Sequence, residues 1–222
     1  LQVNTAGMER MLDDVLAALQ AVVKPAAIVL RNDTSCREIE GLESYVRLAA
    51  GKLEEPVLIT ENDTEFAIPV LDGQKTGWFY DHRLNRYAMR RLAGAARVLD
   101  VCSYIGGWGI QAATAGASEV LMLDSSAAAL ELATENAERN GVSRRCTVLE
   151  GKAQQSMREL YQQGRRFDLV LLDPPAFIKR RKDARQGLQG YHRLNELAMR
   201  LVEPGGYLVS SSCSMHLSEE SL

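Results

Sequence analysis

The sequence lacks the cysteine pairs that mark zinc and redox sites. Its 222 residues include four cysteines, and none of them forms a C-x-x-C pair, which argues against both kinds of site. The three histidines also lack the spacing of metal ligands, so we expect no metal. A chain of this length does not need disulfides. We therefore expect free thiols in a reducing compartment and a cytoplasmic protein.

Long apolar runs are missing as well. No run approaches the roughly 20 residues that a membrane span needs, and the start shows no secretory signal. Hydrophobic residues make up 46% of the chain and charged residues 25%, which is typical of a globular protein with a sizeable core. Because the chain starts at Leu1 and stops at Leu222 within its patterns, we expect a fragment of a longer protein.

Strand and helix patterns alternate in the larger, second part of the chain. Apolar runs predict strands over residues 97–101, 119–123, 146–149, 167–172 and 207–211, with helices over residues 81–92, 108–115, 127–140, 154–163 and 191–202. This alternation predicts an α/β fold with a parallel sheet and helices on both faces. We expect this domain to span residues 74–222.

A small α+β domain is predicted over residues 1–73. Apolar residues at helical spacing predict a helix over residues 8–23, and a short apolar run predicts a strand over residues 26–30. Residues 57–60 and 66–70 predict a hairpin around the polar residues 61–64. The polar segment 31–52 supports no assignment.

A glycine-bearing turn follows the first strand of the second domain. The adjacent Gly106 and Gly107 begin six residues after Asp100, which does not fit the G-x-G-x-x-G dinucleotide fingerprint and disfavours a nicotinamide cofactor. Glycines here let a ligand approach the backbone, and the following helix offers free N–H donors. A turn needed only for strand-to-helix packing is the alternative.

Asp124 ends the second strand, 24 residues after Asp100. A carboxylate at this place can accept hydrogen bonds from both ribose hydroxyls of a nucleoside. It can also simply cap the helix that follows. The glycine turn upstream makes ribose binding the favoured interpretation.

An acid and a thiol follow two consecutive strands. Asp173-Pro174-Pro175-Ala176-Phe177 ends the run over residues 167–172, and Cys213 follows the run over residues 207–211. Adjacent strands lie about 5 Å apart, and their carboxyl ends line the ligand crevice of open α/β sheets. The alternatives are that the prolines only stop a strand and that the cysteine only packs. We favour Cys213 as a nucleophile and assign the other cysteines, Cys36, Cys102 and Cys146, to packing.

Four motifs in this order resemble one family. They are the run Gln74-Lys75-Thr76-Gly77-Trp78-Phe79-Tyr80-Asp81-His82-Arg83-Leu84-Asn85-Arg86, the turn Ser103-Tyr104-Ile105-Gly106-Gly107, the acid-diproline turn, and Ser212-Cys213-Ser214. They are similar to those of class I S-adenosylmethionine-dependent methyltransferases of the ribosomal RNA large-subunit methyltransferase I type, which make 5-methylcytosine in 23S rRNA. The resemblance covers nearly the whole chain. It implies a Rossmann-like sheet, whose final strands we expect beyond Leu222.

The resemblance also implies a cofactor site for S-adenosylmethionine. By position in the motifs, Asp124 would bind the ribose of the cofactor, and Asp173 would lie near its reacting end. The methionine part would be surrounded by Asp100, Ser103, Tyr104, Gly106 and Gly107. Phe79 and Arg83 are expected near the same pocket. Lys152 departs from the pattern, because the family usually has an acid there that accepts from the adenine amino group, whereas a lysine only donates.

The implied reaction is cytosine-5 methylation of large-subunit rRNA, with a Cys213 adduct at C6 and a carboxyl of Asp173 at the base. The group that removes the C5 proton stays open. We expect Pro174, Pro175 and Phe177 to hold the flat base.

Residues 179–193 carry six basic residues and one acid in a chain of net charge −3, and this cluster is either a solvated face or a phosphate contact. We favour phosphate contact by Lys179 and Arg180. Methylation of guanine N7 or another nitrogen, and an RNA-binding module without activity, are the alternative functions.

Overall fold

The computed structural model describes residues 1–54, 56–71, 77–178, 180–214 and 217. The chain divides into two compact units, one made of Leu1–Ile59 and Ala67–Phe79, the other of Thr60–Phe66 and Tyr80–Leu222. The expected domain boundary after residue 73 falls among residues 72–76, outside the described residues, and stays a prediction. Within the described ranges, no helix is long and apolar enough to cross a membrane.

The first unit contains two short helices, α1 (Ala6–Arg10) and α2 (Leu12–Val22), before strand β1 (Ala27–Asn32), helix α3 (Ser35–Ile39) and strand β2 (Tyr45–Gly51). The single helix expected over residues 8–23 is interrupted at Met11, whose N–H bonds back to Met8 and Glu9 and ends α1. Strands β1 and β2 pair antiparallel. Val3, Leu12 and Leu30 form the small buried cluster of this unit.

A hairpin of β3 (Val57–Glu61) and β4 (Thr64–Ile68) follows, as predicted. Asn62 and Asp63 at its tip both have positive φ, 51° and 60°, which is the conformation of a tight two-residue turn and is tolerated best by such short polar side chains. The tip belongs to the second unit.

The second unit is an α/β domain. A helical stretch comes first: the 3₁₀ turn Tyr80–His82, helix α4 (Arg83–Met89) and the 3₁₀ turn Arg90–Leu92. Strands β5 (Arg97–Val101), β6 (Glu119–Asp124), β7 (Cys146–Glu150), β8 (Phe167–Leu172) and β9 (Val202–Ser210) then alternate with helices α5 (Gly109–Thr114), α6 (Ala127–Arg139), α7 (Ala153–Gln162) and α8 (Ala184–Leu201). The strands pair in parallel in the order β7-β6-β5-β8-β9. The predicted α/β fold with a parallel sheet is thereby confirmed.

The core of this domain lies on both faces of the sheet. Residues of the central strands β5 and β8 are almost completely buried because both faces are covered, which explains their continuous apolar runs. On one side they pack against α7 and α8, including Met157, Leu160, Leu194, Ala198 and Leu201.

The last helix and strand begin earlier than expected. Helix α8 starts at Ala184 rather than at residue 191, and β9 starts at Val202 rather than at residue 207. The early turns of α8 contain Gly187 and Gly190, where an added Cβ would lie 2.4 Å from Ile178 Cγ1 and 3.2 Å from Phe177 Cδ2. Close packing therefore favours glycines inside this helix, and they hide the helical pattern in the sequence.

Candidate active site

The order in which consecutive strands are added to the sheet reverses at β5. The chain runs outward from β5 to β6 and β7, then returns to place β8 on the other side of β5. Such a switch point is where open α/β sheets bind ligands, outside the carboxyl ends of the strands. Two bonds continue the pairing past β8 and β9: the Asp173 N–H donates to Val101 O (3.3 Å), and the Ser211 N–H donates to Leu172 O (2.9 Å). The two consecutive strands that precede Asp173 and Cys213 are thus neighbours, as predicted.

The turn after β5 has an unusual backbone. Cys102, Tyr104 and Gly106 have φ of 62°, 52° and 84°, a left-handed conformation that is costly for the two non-glycine residues. A Cβ at Gly106 would lie 2.5 Å from Ile110 Cδ1 and 3.0 Å from Met122 Sδ. Glycine is therefore needed at Gly106 for the turn and for packing on the protein side. Backbone strain of this kind is concentrated at functional sites in proteins.

Asp100 lies beneath this turn and is 1% exposed. Its Oδ2 accepts a hydrogen bond from the Gly109 N–H at 2.8 Å, whereas Oδ1 is buried and has no partner among the described residues. Burial raises the pKa of this carboxyl to about 7, and the nearby charges of Asp173 and Asp124 act in the same direction. The bond from Gly109 opposes the rise.

Asp124 ends β6 with both carboxylate oxygens held by backbone donors. Tyr104 N–H donates to Oδ2 (2.9 Å) and Ser126 N–H donates to Oδ1 (3.0 Å). The N-cap of α6 is Ser126, whose hydroxyl accepts from Ala129 N–H, so Asp124 is not needed as the cap. Each carboxylate oxygen keeps a lone pair for a further donor.

The groups around the glycine turn fit the methionine end of S-adenosylmethionine. Within the part of the chain that the structure describes, the buried atoms Asp100 Oδ1 and Ser103 Oγ have no hydrogen-bond partner, and Ser103 is 3% exposed. Buried polar atoms are normally hydrogen-bonded. A carboxylate acceptor beside a hydroxyl suits an ammonium group next to a carboxylate. Tyr104 and Gly107 lie half-buried in the same turn.

The side-chain carboxyl of Asp173 is held by hydrogen bonds from other side chains. The Trp108 indole Nε1–H donates to Oδ2 (3.2 Å), and the Ser211 hydroxyl bonds to Oδ1 (2.6 Å). His82 Nε2 is 3.9 Å from Oδ1, and the His82 ring lies tilted against Trp108 at 5.5 Å between centroids. No local sequence pattern indicates that these residues meet, because they come from separate elements.

The segment that carries Cys213 is tied to the diproline turn on both sides. Ser211 reaches Asp173, and the Ser214 hydroxyl accepts from Ile178 N–H (3.1 Å) and pairs with the Tyr191 hydroxyl (2.8 Å). Cys213 between them is exposed. Tyr191 was not identified from the sequence, since a tyrosine on an amphipathic helix is typical of core packing.

Within the turn, Pro174 is buried and Pro175 is exposed. The Phe177 ring is half-buried and packs on Tyr191, with centroids 4.8 Å apart. The expectation that these residues hold a base stays a prediction.

The remaining expected site residues that the structure describes are exposed. Arg180 is exposed and pairs with Asp183 at 3.4 Å, and Lys179 lies outside the described residues. Arg83 is exposed on α4. Phe79 is 41% exposed and belongs to the first unit. Lys152, at the place of the usual acid, is exposed and precedes α7 as its N-cap residue.

Known proteins with similar sequences indicate the family of this chain. A family model described as S-adenosylmethionine-dependent methyltransferase matches residues 26–218. The ribosomal RNA large subunit methyltransferase I of Aeromonas salmonicida is 37% identical over 223 residues, which cover 100% of this chain and 56% of that protein. The same-named protein of Erwinia tasmaniensis is 36% identical over 216 residues, covering 96% and 54%.

The fold also matches solved structures. A protein from Streptococcus mutans, described as a SAM-dependent methyltransferase, superposes with a TM-score of 0.83 at 18% identity, over 99% of this chain and 56% of that one. This likeness supports the fold alone. The chain spans about half the length of the curated relatives that it matches.

Proposed function

Since the chain belongs to the family of S-adenosylmethionine-dependent methyltransferases, we propose that it methylates large-subunit ribosomal RNA in the cytoplasm and that its product is 5-methylcytosine. The observation that carries this proposal is the place of Cys213. Ser211 and Ser214 tie the segment around it to Asp173 and Ile178 in the diproline turn. These bonds connect the segment that carries the exposed Cys213 to the diproline turn, which supports a thiol and an acid acting together.

The cofactor side of the proposal rests on the buried carboxylates. Asp100 and Ser103, with their unpartnered atoms, would hold the methionine part together with Tyr104, Gly106 and Gly107. Asp124 would accept from the ribose hydroxyls, and Asp173 would lie at the reacting end. Phe79 and Arg83 complete the proposed set. When bound, S-adenosylmethionine supplies an electrophilic methyl group.

Cys213 acts on the base in this proposal. Cytosine C5 is too weak a nucleophile by itself, and addition of the Cys213 thiolate to C6 makes C5 electron-rich. After C5 is methylated, a base takes the C5 proton and the thiolate is expelled from C6, which restores the aromatic ring. The thiolate is the reactive form of cysteine. The exposure of Cys213 gives a base access to the sulfur.

The proposed substrate contacts lie around the same turn. Pro174 restricts the backbone of Asp173, because the ring of a proline limits the conformations of the residue before it. Phe177 offers an aromatic edge for a base, and Lys179 and Arg180 offer charges to phosphates. The large exposed fraction of Arg180, 71% of its side chain, supports a role at the surface.

Cys213→Ala tests the function directly. We expect this variant to lose methyl transfer to a 23S rRNA fragment, measured with radiolabelled S-adenosylmethionine, while its affinity for the cofactor by calorimetry stays unchanged. Cys36→Ala is the matched control, because Cys36 is also exposed and should keep both properties.

Other outcomes favour other functions. Full activity of Cys213→Ala would contradict the covalent mechanism and favour methylation of guanine N7 or another nitrogen, which needs no thiol. If the unaltered protein does not bind the cofactor, the proposal that it is an enzyme is contradicted and an RNA-binding module is favoured. Lys152, in place of the usual acid, would then be one reason why the cofactor does not bind.

A further inference from the structure

The carboxylate of Asp173 is oriented by two donors from different elements. Trp108, immediately before α5, is 5% exposed and donates its indole N–H to Oδ2 at 3.2 Å. Ser211, immediately after β9, bonds to Oδ1 at 2.6 Å. Asp173 itself keeps 23% of its side chain exposed. The carboxylate is therefore anchored on the protein side and open toward the crevice.

The indole restricts the orientation of the Asp173 carboxyl. An indole N–H can only donate, so it requires a lone pair on Oδ2. The Ser211 hydroxyl bonds to Oδ1 at 2.6 Å. Both contacts use lone pairs of the Asp173 carboxyl and so orient it as a hydrogen-bond acceptor.

The Trp108 ring packs against buried charged and polar side chains. The guanidinium of Arg86 lies 5.8 Å from the centre of the Trp108 ring. Arg86 is held by Glu61 through two bonds of 2.6 and 3.0 Å, with both side chains at least 96% buried. Gln111 also donates to Glu61, at 2.9 Å. The indole is thereby packed against a guanidinium that Glu61 holds in place, and Gln111 in turn bonds to Glu61.

We propose that Trp108 is a positioning residue that holds Asp173 as a hydrogen-bond acceptor, so that the site takes cytosine and rejects uracil. This inference rests on the proposed function. Cytosine presents an amino donor at C4, whereas uracil presents a carbonyl acceptor at the same place. An acceptor-only carboxylate pairs with the first and repels the second. Sites built to bond a donor discriminate strongly against a base that lacks it.

The first test needs no activity. The chain has two tryptophans, Trp78 and Trp108, so a ¹⁵N-labelled protein gives two indole N–H signals, and Trp108→Phe assigns them. We expect Asp173→Ala to shift the Trp108 signal and to speed its exchange with water, while the Trp78 signal stays in place. An unchanged Trp108 signal in a folded Asp173→Ala protein would overturn the proposal.

The second test measures discrimination. We compare kcat/KM on two RNA oligomers that differ only by cytosine or uracil at the target position. In Trp108→Phe, which keeps a ring but removes the donor, we expect cytosine methylation to fall about tenfold to a hundredfold. We also expect the cytosine-to-uracil ratio to fall, because a carboxylate that has lost one of its two orienting bonds is less well placed to accept from the cytosine amino group. Ser211→Ala should change the ratio in the same direction, and Trp78→Phe should leave the ratio unchanged.

The results separate this proposal from the function on which it rests. If Trp108→Phe lowers methylation of both oligomers equally, Trp108 has a structural role only and the proposal is wrong. If the unaltered protein methylates neither C5 position, the proposed function fails, while the indole signals still report whether Trp108 holds Asp173.

Discussion

The proposed cofactor side and the proposed base side of the crevice are held by different kinds of group. Asp100 and Asp124 accept hydrogen bonds from backbone N–H groups of Gly109, Tyr104 and Ser126. On the base side, the bonds to Asp173 and to the Cys213 segment come largely from side chains, among them Trp108, Ser211 and Tyr191. Backbone donors are set by the fold whatever the side chains are. Substitutions can therefore change the base side while the cofactor side keeps its geometry.

The largest expected difference between the two sides concerns pH and the cofactor. Burial raises the pKa of Asp100 to about 7, so this carboxyl takes up a proton as the pH falls through that value. In the proposed site, the ammonium of the cofactor would bind the carboxylate and not the neutral acid. We expect the affinity for S-adenosylhomocysteine, measured by calorimetry, to be about tenfold lower at about pH 6 than at about pH 8.

Asp100→Asn is the control for this prediction, because an amide does not titrate. Its affinity should be low and should lose this pH dependence. Equal affinity of the unaltered protein at both pH values would show that Asp100 does not meet a charged group of the cofactor, and would remove the main contrast with the base side.

A smaller effect is expected on the base side from Tyr191→Phe. Tyr191 is 1% exposed, and its hydroxyl pairs with Ser214 Oγ at 2.8 Å. Loss of this bond should lower the free energy of unfolding by about 1 kcal/mol and reduce turnover severalfold, because the Cys213 segment loses one tie to α8. Cofactor affinity should stay unchanged. Urea unfolding and steady-state kinetics measure these quantities.

Tyr207→Phe is the matched control, since Tyr207 is 53% exposed on β9. We expect its stability to change by less than about 0.5 kcal/mol. A loss of cofactor affinity in Tyr191→Phe would contradict the independence of the two sides.

The strands that frame the site were predictable because of their burial. Residues 97–101 and 167–172 were predicted with the bounds that the structure gives, since strands covered on both faces form uninterrupted apolar runs. β2 was not predicted. Much of it is exposed, from Val46 to Leu48, so its sequence carries no regular alternation.

Site residues were predictable from the sequence only where an acid directly follows the apolar run of a strand. Asp124 and Asp173 each follow an apolar run, and the sheet order places Asp173 and the Cys213 segment side by side. Trp108 and Asp173 are 65 residues apart in the chain, and nothing local in the sequence indicates that they bond. Gly106 was expected to admit a ligand, whereas the structure adds a packing reason, its contact with Ile110.

Covalent trapping tests the central claim most directly. The protein is incubated with S-adenosylmethionine and with target RNA that carries 5-azacytosine, whose ring nitrogen at position 5 has no proton to lose, so that the adduct persists. We predict a covalent protein–RNA complex whose cross-linked peptide, identified by mass spectrometry, contains Cys213, and no such complex with Cys213→Ala. The absence of a complex with the unaltered protein, or an adduct on another cysteine, would contradict the assignment of Cys213 as the nucleophile of a cytosine-5 methyltransferase.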